Sequence, residues 1–325
     1  MGKLRSLEVC AGAGGQAIGL ERAGFQHAGL VEIDSDACAT IRLNRPKWKV
    51  IESDLRNFSG RPFLGIDLLA GGIPCPPFSI AGKQKGRDDE RDLFPEMIRL
   101  ARECKPKAIL IENVKGLLSS VFDEYRKEIE SVLRKIGYVA QWKLLNSSDF
   151  GVPQLRPRVA MVALRSEYAP YFKWPEASTA KPPTVGEALF AEIARNGWSG
   201  ARDWKKRANK IAPTLVGGSK KHGGPDLGPS RARSAWAELG VNGKSLANEA
   251  PEKTFRGDPR LTLKMAALIQ GFPPEWQFSG NKTSSYRQIG NAFPAPVAHA
   301  IGKAIARALE AGTSKHRGRQ TELSL

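Results

Sequence analysis

Ser6-Leu7-Glu8-Val9-Cys10-Ala11-Gly12-Ala13-Gly14-Gly15-Gln16 reads as a short apolar-rich strand, a glycine turn and the start of a helix running from about residue 16 to 23. The unit then repeats: residues 28–33 have strand character, and residues 35–44 have helical spacing with Ser35 as the expected N-cap. Apolar runs at 66–70, 108–111, 139–145 and 159–164 continue the strand series, with helical stretches near 93–104 and 116–135 between them. Strands separated by helical crossovers predict an α/β fold, a doubly wound and mostly parallel sheet. From about 168 to 257 Gly, Pro, Trp and basic residues mix, and helical periodicity is weak outside 185–194. Regular order resumes at 261–269 and in a final helix at 295–311; the polar, basic tail 312–325 is expected to be disordered.

A chain of 325 residues can bury a large core as one domain or two unequal ones. No apolar stretch approaches the ~18 residues that span a bilayer, and the N-terminus lacks the apolar core of a secretory signal. Cys10, Cys38, Cys75 and Cys104 lie far apart without paired spacing, so neither a disulfide framework nor a metal site is expected. A reduced, intracellular chain is the simplest expectation. The charge is uneven. Residues 1–150 hold 23 basic and 20 acidic groups, whereas 151–260 hold 19 and 10, and 261–325 hold 8 and 3. Such an excess suits a polyanion-binding face on the later part of the chain, or a solubilising surface.

The turn Ala11-Gly12-Ala13-Gly14-Gly15 would let backbone approach a cofactor closely at a helix N-terminus. Glu32, ending the second strand, is placed to accept hydrogen bonds from ribose hydroxyls. These features point to a nucleoside cofactor and do not separate nicotinamide from S-adenosylmethionine. Asp54, just before Leu55, is placed to touch an adenine edge or simply to cap a turn. Gly71-Gly72-Ile73-Pro74-Cys75-Pro76-Pro77-Phe78-Ser79 follows an apolar strand, so Cys75 would sit in a proline-stiffened loop at the sheet's C-terminal edge, a candidate nucleophile. Glu112 and Asn113 follow another apolar strand, where burial can keep a carboxyl group protonated. Gln154, Arg156 and Arg158 alternate before the strand at 159–164, placing the two arginines on one face of an extended segment.

The order of these motifs is informative. Glycine turn, acidic strand end, Pro-Cys loop, Glu-Asn-Val and Gln-x-Arg-x-Arg are followed by a basic stretch, Gln270-Gly271-Phe272-Pro273 and Gln288-Ile289-Gly290-Asn291-Ala292. The series resembles the DNA (cytosine-5)-methyltransferases of bacterial restriction–modification systems, over nearly all of residues 4–305 apart from about 168–257. The resemblance implies a Rossmann-like methyltransferase domain at 1–169 and 286–325, and a smaller target-recognition domain at 170–285. It makes Cys75 the nucleophile and Glu112 the group that contacts and protonates cytosine N3, with Arg158 and Arg156 orienting the base. Cys10, Ala11, Gly12, Gly14, Gly15, Glu32, Ile33, Asp54, Leu55, Pro74, Asn291 and Ala292 would line an S-adenosylmethionine pocket. Ser79, Asn113 and Gln154 would hold the loop and base, and Lys83 would lie in a flap that closes on them. Lys206, Arg207, Lys210, Lys220, Lys221, Arg231 and Arg233 would meet double-stranded DNA.

Three departures stand out: Cys10 replaces a usual Phe, Ile33 a frequent Trp, and Met265 a frequently acidic residue. The first two bear on adenine packing; none removes a reacting group. The resemblance further implies a flipped base, a transient bond from Cys75 to cytosine C6, and a monomer working in the cytoplasm at the nucleoid, without membrane contact. A cognate endonuclease would share its site without stable binding. The main alternative keeps the chemistry and moves it to tRNA. A nicotinamide oxidoreductase leaves Cys75, Glu112, Arg158 and Asn291 without a joint explanation, and a non-catalytic DNA-binding relative leaves the complete set of reacting groups unexplained.

Overall fold

The computed structural model describes residues 3–74, 92–217 and 224–322, with side chains described to Lys315. The repeating unit is realised as β1 (Leu4–Val9), α1 (Gly15–Arg22), β2 (Phe25–Glu32), α2 (Ser35–Asn44) and β3 (Val50–Glu52). Then come β4 (Leu68–Gly72), α3 (Phe94–Cys104), β5 (Ala108–Val114), α4 (Asp123–Lys135), β6 (Tyr138–Asn146) and β7 (Pro157–Arg165). Among the described residues seven strands form one sheet in the order β3-β2-β1-β4-β5-β7-β6. β1 to β5 pair in parallel, and β7 runs antiparallel between β5 and β6. The strand order reverses between β1 and β4, and open α/β sheets bind their ligands in the crevice at such a point.

Side-chain alternation sorts the two faces. Leu7, Val9, Leu69, Ile109, Ile111 and Met161 meet α3 and α4 through Leu100, Ile129 and Leu133. Leu68, Ala70, Leu110 and Val162 face the other way, onto Leu20 of α1 and onto Val297, Ile301 and Ile305 of α10 (Ala295–Glu322). The chain therefore ends by covering the sheet it began. Between these parts lie α5 (Val185–Ile193), α6 (Ala201–Arg207), α7 (Ser230–Glu238), α8 (Leu263–Gln270) and α9 (Lys282–Asn291). They surround a core containing Leu189, Trp198, Trp204, Trp236, Met265 and Tyr286, which also takes in Ala13 and Ile18 beside the glycine turn.

Several expectations are corrected. Asp34, not Ser35, caps α2, accepting from the backbone N–H groups of Asp36 and Ala37. The tail expected to be disordered continues α10 as far as Glu322. The region of weak periodicity contains α6 and α7, short helices whose buried residues are Ala201 and Trp204 in one and Trp236 in the other. Lys206 and Arg207 belong to α6, where they pair at the surface with Asp203 at 2.9 Å and Asp258 at 2.7 Å. Among the described residues no helix is long and apolar enough to cross a membrane.

Helices α1 and α10 pack through glycine. A Cβ on Gly19 would strike the Ala295 carbonyl oxygen and stand 2.6 Å from Ala298 Cβ and 2.7 Å from His299 N. Overpacking against fixed backbone costs about 1–3 kcal/mol, more than the roughly 1 kcal/mol by which Ala exceeds Gly in helix propensity. Gly19→Ala is therefore expected to lower the denaturant midpoint with little change in slope. A midpoint at or above the wild-type value would show that the two helices can separate without loss.

Candidate functional site

The glycine turn leaves β1 through Cys10, whose φ of 50° lies in the left-handed region, followed by Gly12 at 54° and Gly14 at 86°. A non-glycine residue in that region costs about 1–2 kcal/mol, so the turn is held by its surroundings. Ala11 N donates to Val31 O at 3.1 Å, and Gly12 N donates to Glu32 Oε2 at 2.7 Å. Glu32 Oε1 accepts from Ile33 N at 2.9 Å and Asp34 N at 2.8 Å. The Glu32 carboxyl is thus locked in place, with one acceptor position remaining on Oε2. Burial raises its pKa, and those three backbone donors oppose the rise.

Beside it, Ile33 is 62% exposed, and nothing lies within 4 Å of where a Cβ on Gly12 would point. An acceptor fixed at a strand end, an uncovered apolar side chain and open space over a glycine turn fit a nucleoside with ribose hydroxyls and a flat base. Asn291, exposed at the end of α9, returns from the far end of the chain toward this turn. The residues after it pack directly on the turn: a Cβ on Gly15 would lie 2.6 Å from Phe293 O and 3.1 Å from Ala292 Cβ. Asp54 caps a short turn and forms a two-oxygen contact with Arg56, which holds its pKa below the usual carboxylate value. Leu55, next to it, is buried.

The other end of the site is set by register. Val9 pairs with Val31 and Gly71, and Gly72 pairs with Glu112. The next positions, Glu32, Gly72 and Glu112, therefore lie along the C-terminal edge on the α1 side of the sheet, whereas Cys10, in its left-handed turn, packs with the α3 side. Three strand spacings of about 4.8 Å separate the two glutamates by about 14 Å. Gly72 leaves room for the second carboxyl, since a Cβ there would stand 3.3 Å from Glu112 Oε2.

Glu112 is 5% exposed, and its Oε1 lies 2.9 Å from Arg158 Nε in an ion contact. Burial raises the Glu112 pKa despite the opposing charges of Arg158 and Arg156. The carboxyl is thus biased toward its protonated, donating form. Asn113 Nδ2 reaches the carbonyl of Ile73 at 3.5 Å, and its Oδ1 accepts from Val114 N at 2.8 Å, tying the end of β5 to the backbone just before Pro74. Cys75, Ser79, Lys83, Lys220 and Lys221 lie outside the described residues.

Two expected site residues have a different task. Gln154 is fully buried: its Nε2 donates to Ile269 O at 3.2 Å and Gln270 Oε1 at 2.9 Å, and its Oε1 accepts from Leu215 N at 2.9 Å. Arg156 is equally buried and donates to the carbonyls of Leu215 at 2.9 Å, Gly290 at 2.5 Å and Ala292 at 3.2 Å. Both side chains strap the start of β7 to the segments around Leu215 and Asn291. Arg158 alone of the alternating set reaches Glu112. On α7, Arg231 is exposed, while Arg233 bonds Gly228 O at 3.2 Å and Ser230 Oγ at 3.3 Å.

Sequence reasoning passed over Glu8 and the docking of α9. Glu8 lies on β1 one row beneath the glutamate row, 1% exposed, with its pKa raised first by burial and then by Glu32. The polar-apolar alternation Ser6-Leu7-Glu8-Val9 is the signal that would have marked it as facing α1. Helix α9 is fixed to α2 by Thr40 Oγ1 donating to Gln288 Oε1 at 2.7 Å, Ser284 Oγ donating to Asp36 Oδ2 at 2.6 Å, and Arg287 with Asp34 at 3.2 Å. Pairings some 250 residues apart leave no local pattern to read.

Comparison with known proteins agrees with this geometry. The profile of the C-5 cytosine-specific DNA methylases matches residues 4–307. The chain is 57% identical over 308 residues to the Type II methyltransferase M.NgoMIV of Neisseria gonorrhoeae, covering 94% of this chain and 98% of that protein. It is 55% identical over 315 residues to the Type II methyltransferase M.NaeI of Lentzea aerocolonigenes, covering 95% and 76%. Among solved structures, the methyltransferase EhMeth of Entamoeba histolytica shares the fold with a TM-score of 0.66 at 16% identity, covering 95% and 99% of the two chains. A match over nearly the whole chain, together with relatives above half identity, places this protein among the C-5 cytosine-specific DNA methylases.

Proposed function

We propose that this DNA cytosine-5 methyltransferase acts as the modification arm of a restriction–modification system, methylating one cytosine within a specific duplex sequence through a covalent Cys75 adduct. The restriction–modification role and the choice of DNA over tRNA are supported by the family and by relatives named as Type II methyltransferases. The observation that carries the chemistry is Glu112: a buried carboxyl, held toward protonation and touching Arg158, at the end of the strand paired with the one that leads into Cys75. S-Adenosylmethionine would be held by the 11–15 turn, Glu32, Ile33 and Asn291, and when bound it supplies an electrophilic methyl group for cytosine C5.

A ring carbon inside a stacked duplex is out of reach of any side chain, so the target base is flipped into the crevice at a cost of a few kcal/mol. Cys75 adds to C6 as a thiolate, and Glu112 donates a hydrogen bond or proton to N3 as negative charge develops on the ring. The adduct makes C5 nucleophilic. After C5 is alkylated, loss of its proton and cleavage of the sulfur–C6 bond restore the aromatic ring and the free thiol. Arg158 fixes the Glu112 carboxyl by charge, and Asn113 steadies the backbone before Cys75.

We assign target recognition to residues 170–285 and the reaction to residues 1–169 and 286–325, with Arg231 and Arg233 among the recognition groups. The positive excess beyond residue 150 supports phosphate contacts there. The protein works as a monomer in the cytoplasm at the nucleoid, and its endonuclease meets the same site without a stable complex.

Duplexes carrying 5-fluorocytosine at the target position should become covalently trapped on the wild-type enzyme with methyl donor present, as a band resistant to denaturing electrophoresis. Cys75→Ser should bind DNA yet give no such band; trapping by that variant would refute the assignment. Glu112→Gln should lower the single-turnover rate by about 10²–10⁴-fold, the usual contribution of a positioned acid. The wild-type rate needs a protonated Glu112, so it should turn down as pH rises through that group's elevated pKa. Glutamine does not titrate, so the variant's rate should keep climbing with thiolate formation. A downturn at the same pH in both enzymes would place it in another group.

A further inference from the structure

Gly217 lies in the stretch that leads into the basic recognition region, far in sequence from every residue assigned to the donor pocket. In space it touches one of them. A Cβ on Gly217 would stand 2.5 Å from Asn291 Oδ1, 2.9 Å from Asn291 N and 2.8 Å from Arg287 O. The contact is reciprocal: a Cβ on Gly290 would collide with the Cα and N of Gly217. Two backbones therefore cross with no side chain between them.

The crossing is clamped from both sides. Arg156 Nη1 donates to Leu215 O at 2.9 Å, while its Nη2 donates to Gly290 O at 2.5 Å and Ala292 O at 3.2 Å. One planar guanidinium thus holds the carbonyls on either side of the contact, a geometry that the single ammonium of lysine does not reproduce. Gln270 Nε2 adds a bond to Ala292 O at 2.6 Å, and Gln154 joins Gln270 to Leu215 N. Segment 212–215 is further fixed against β7's approach by Ala212 N donating to Pro153 O at 3.0 Å and Leu155 N donating to Ala212 O at 2.8 Å. Neither Gly217 nor Gly290 has a positive φ, so what glycine provides here is space alone.

We propose that Gly217 and Arg156 are positioning residues of the methyl-donor site: the crossing of Gly217 over Gly290, clamped by Arg156, sets the place of Asn291 in the donor pocket. The inference rests on Asn291 contacting the donor, as assigned above. Donor binding and the base of the recognition region then share one rigid joint. A change in the recognition segment at this point alters donor affinity even without DNA, and by linkage the donor acts back on that segment.

The test measures S-adenosylhomocysteine binding to full-length protein without DNA, by calorimetry, for Gly217→Ala, Arg156→Lys, Asn291→Ala and Gly224→Ala. Overpacking against backbone predicts a dissociation constant raised about tenfold or more for Gly217→Ala. Arg156→Lys should shift donor affinity in the same direction, and kcat at saturating donor should stay within a few-fold in Gly217→Ala. Gly224→Ala is the control, because among the described residues its Cβ would meet Asp226 Oδ2 alone, at 3.6 Å, an ordinary contact, and should leave donor affinity unchanged. Asn291→Ala should weaken binding in the wild-type background and by much less in Gly217→Ala, a non-additivity that a general loss of stability does not give. Normal donor affinity in Gly217→Ala with weakened affinity in Asn291→Ala overturns this inference alone. Normal affinity in Asn291→Ala overturns the donor-site reading beneath it as well. If Gly217→Ala fails to fold, Arg156→Lys and Asn291→Ala carry the same cycle, and additivity between them refutes the joint.

Discussion

The contact between Glu112 and Arg158 constrains the rest of the structure, because it requires two strands to meet at one edge from opposite directions. Val114 pairs with Arg158 in antiparallel register, so the first residues of β7 stand beside the last residues of β5. In a wholly parallel sheet, a β7 of nine residues would carry Arg158 to the opposite edge, some 20 Å or more away at about 3.3 Å per residue. The reversal is therefore what lets a guanidinium share the C-terminal edge with a carboxyl. Burial dominates this pair, since it raises the Glu112 pKa against two nearby positive charges. Buried ion pairs of this kind add little stability over an apolar pair of equal volume. Their value here lies in a carboxyl that is both oriented and easily protonated.

The same edge explains how two chemistries fit into one crevice. Glu32 and Glu112 lie on one face of that edge, and Gly72, beside Glu112, carries no side chain. A larger residue at position 72 would meet the Glu112 carboxyl. Ile33 presents an uncovered apolar surface beside Glu32. Cys10 itself is no rival nucleophile. Its thiol pKa is pushed up, first by burial and then by Glu32, Asp54 and Glu8, so it remains protonated where a reactive cysteine must ionise.

Most of the sheet was legible because buried parallel strands are short apolar runs, and the polar residues closing those runs mark the functional edge. Glu32 and Glu112 were readable in this way. Helices α6 and α7 were not, since each has only one or two buried residues, too few to establish a period, and each is anchored by one tryptophan. Asp34 displaced Ser35 as cap because its side chain was one residue earlier, a shift below the resolution of spacing arguments. Alternation led to the expectation that Arg156 and Arg158 share one face of an extended segment. It could not show that Arg156 would meet the carbonyls of Leu215 and Gly290, some 60 and 130 residues away.

Those long-range straps also bear on where recognition can vary. Up to Gly217 the segment is tied on both sides: Ala212 and Leu215 are buried, and their backbones are bonded to 153–155 and Gln154. The chain is anchored again where Leu227 N donates to Gly243 O at 3.0 Å and Trp236 fills the core beneath α7. Arg156 joins these parts to the catalytic carboxyl's neighbourhood: it bonds the carbonyls of Leu215 and Gly290 and precedes by two residues Arg158, which contacts Glu112.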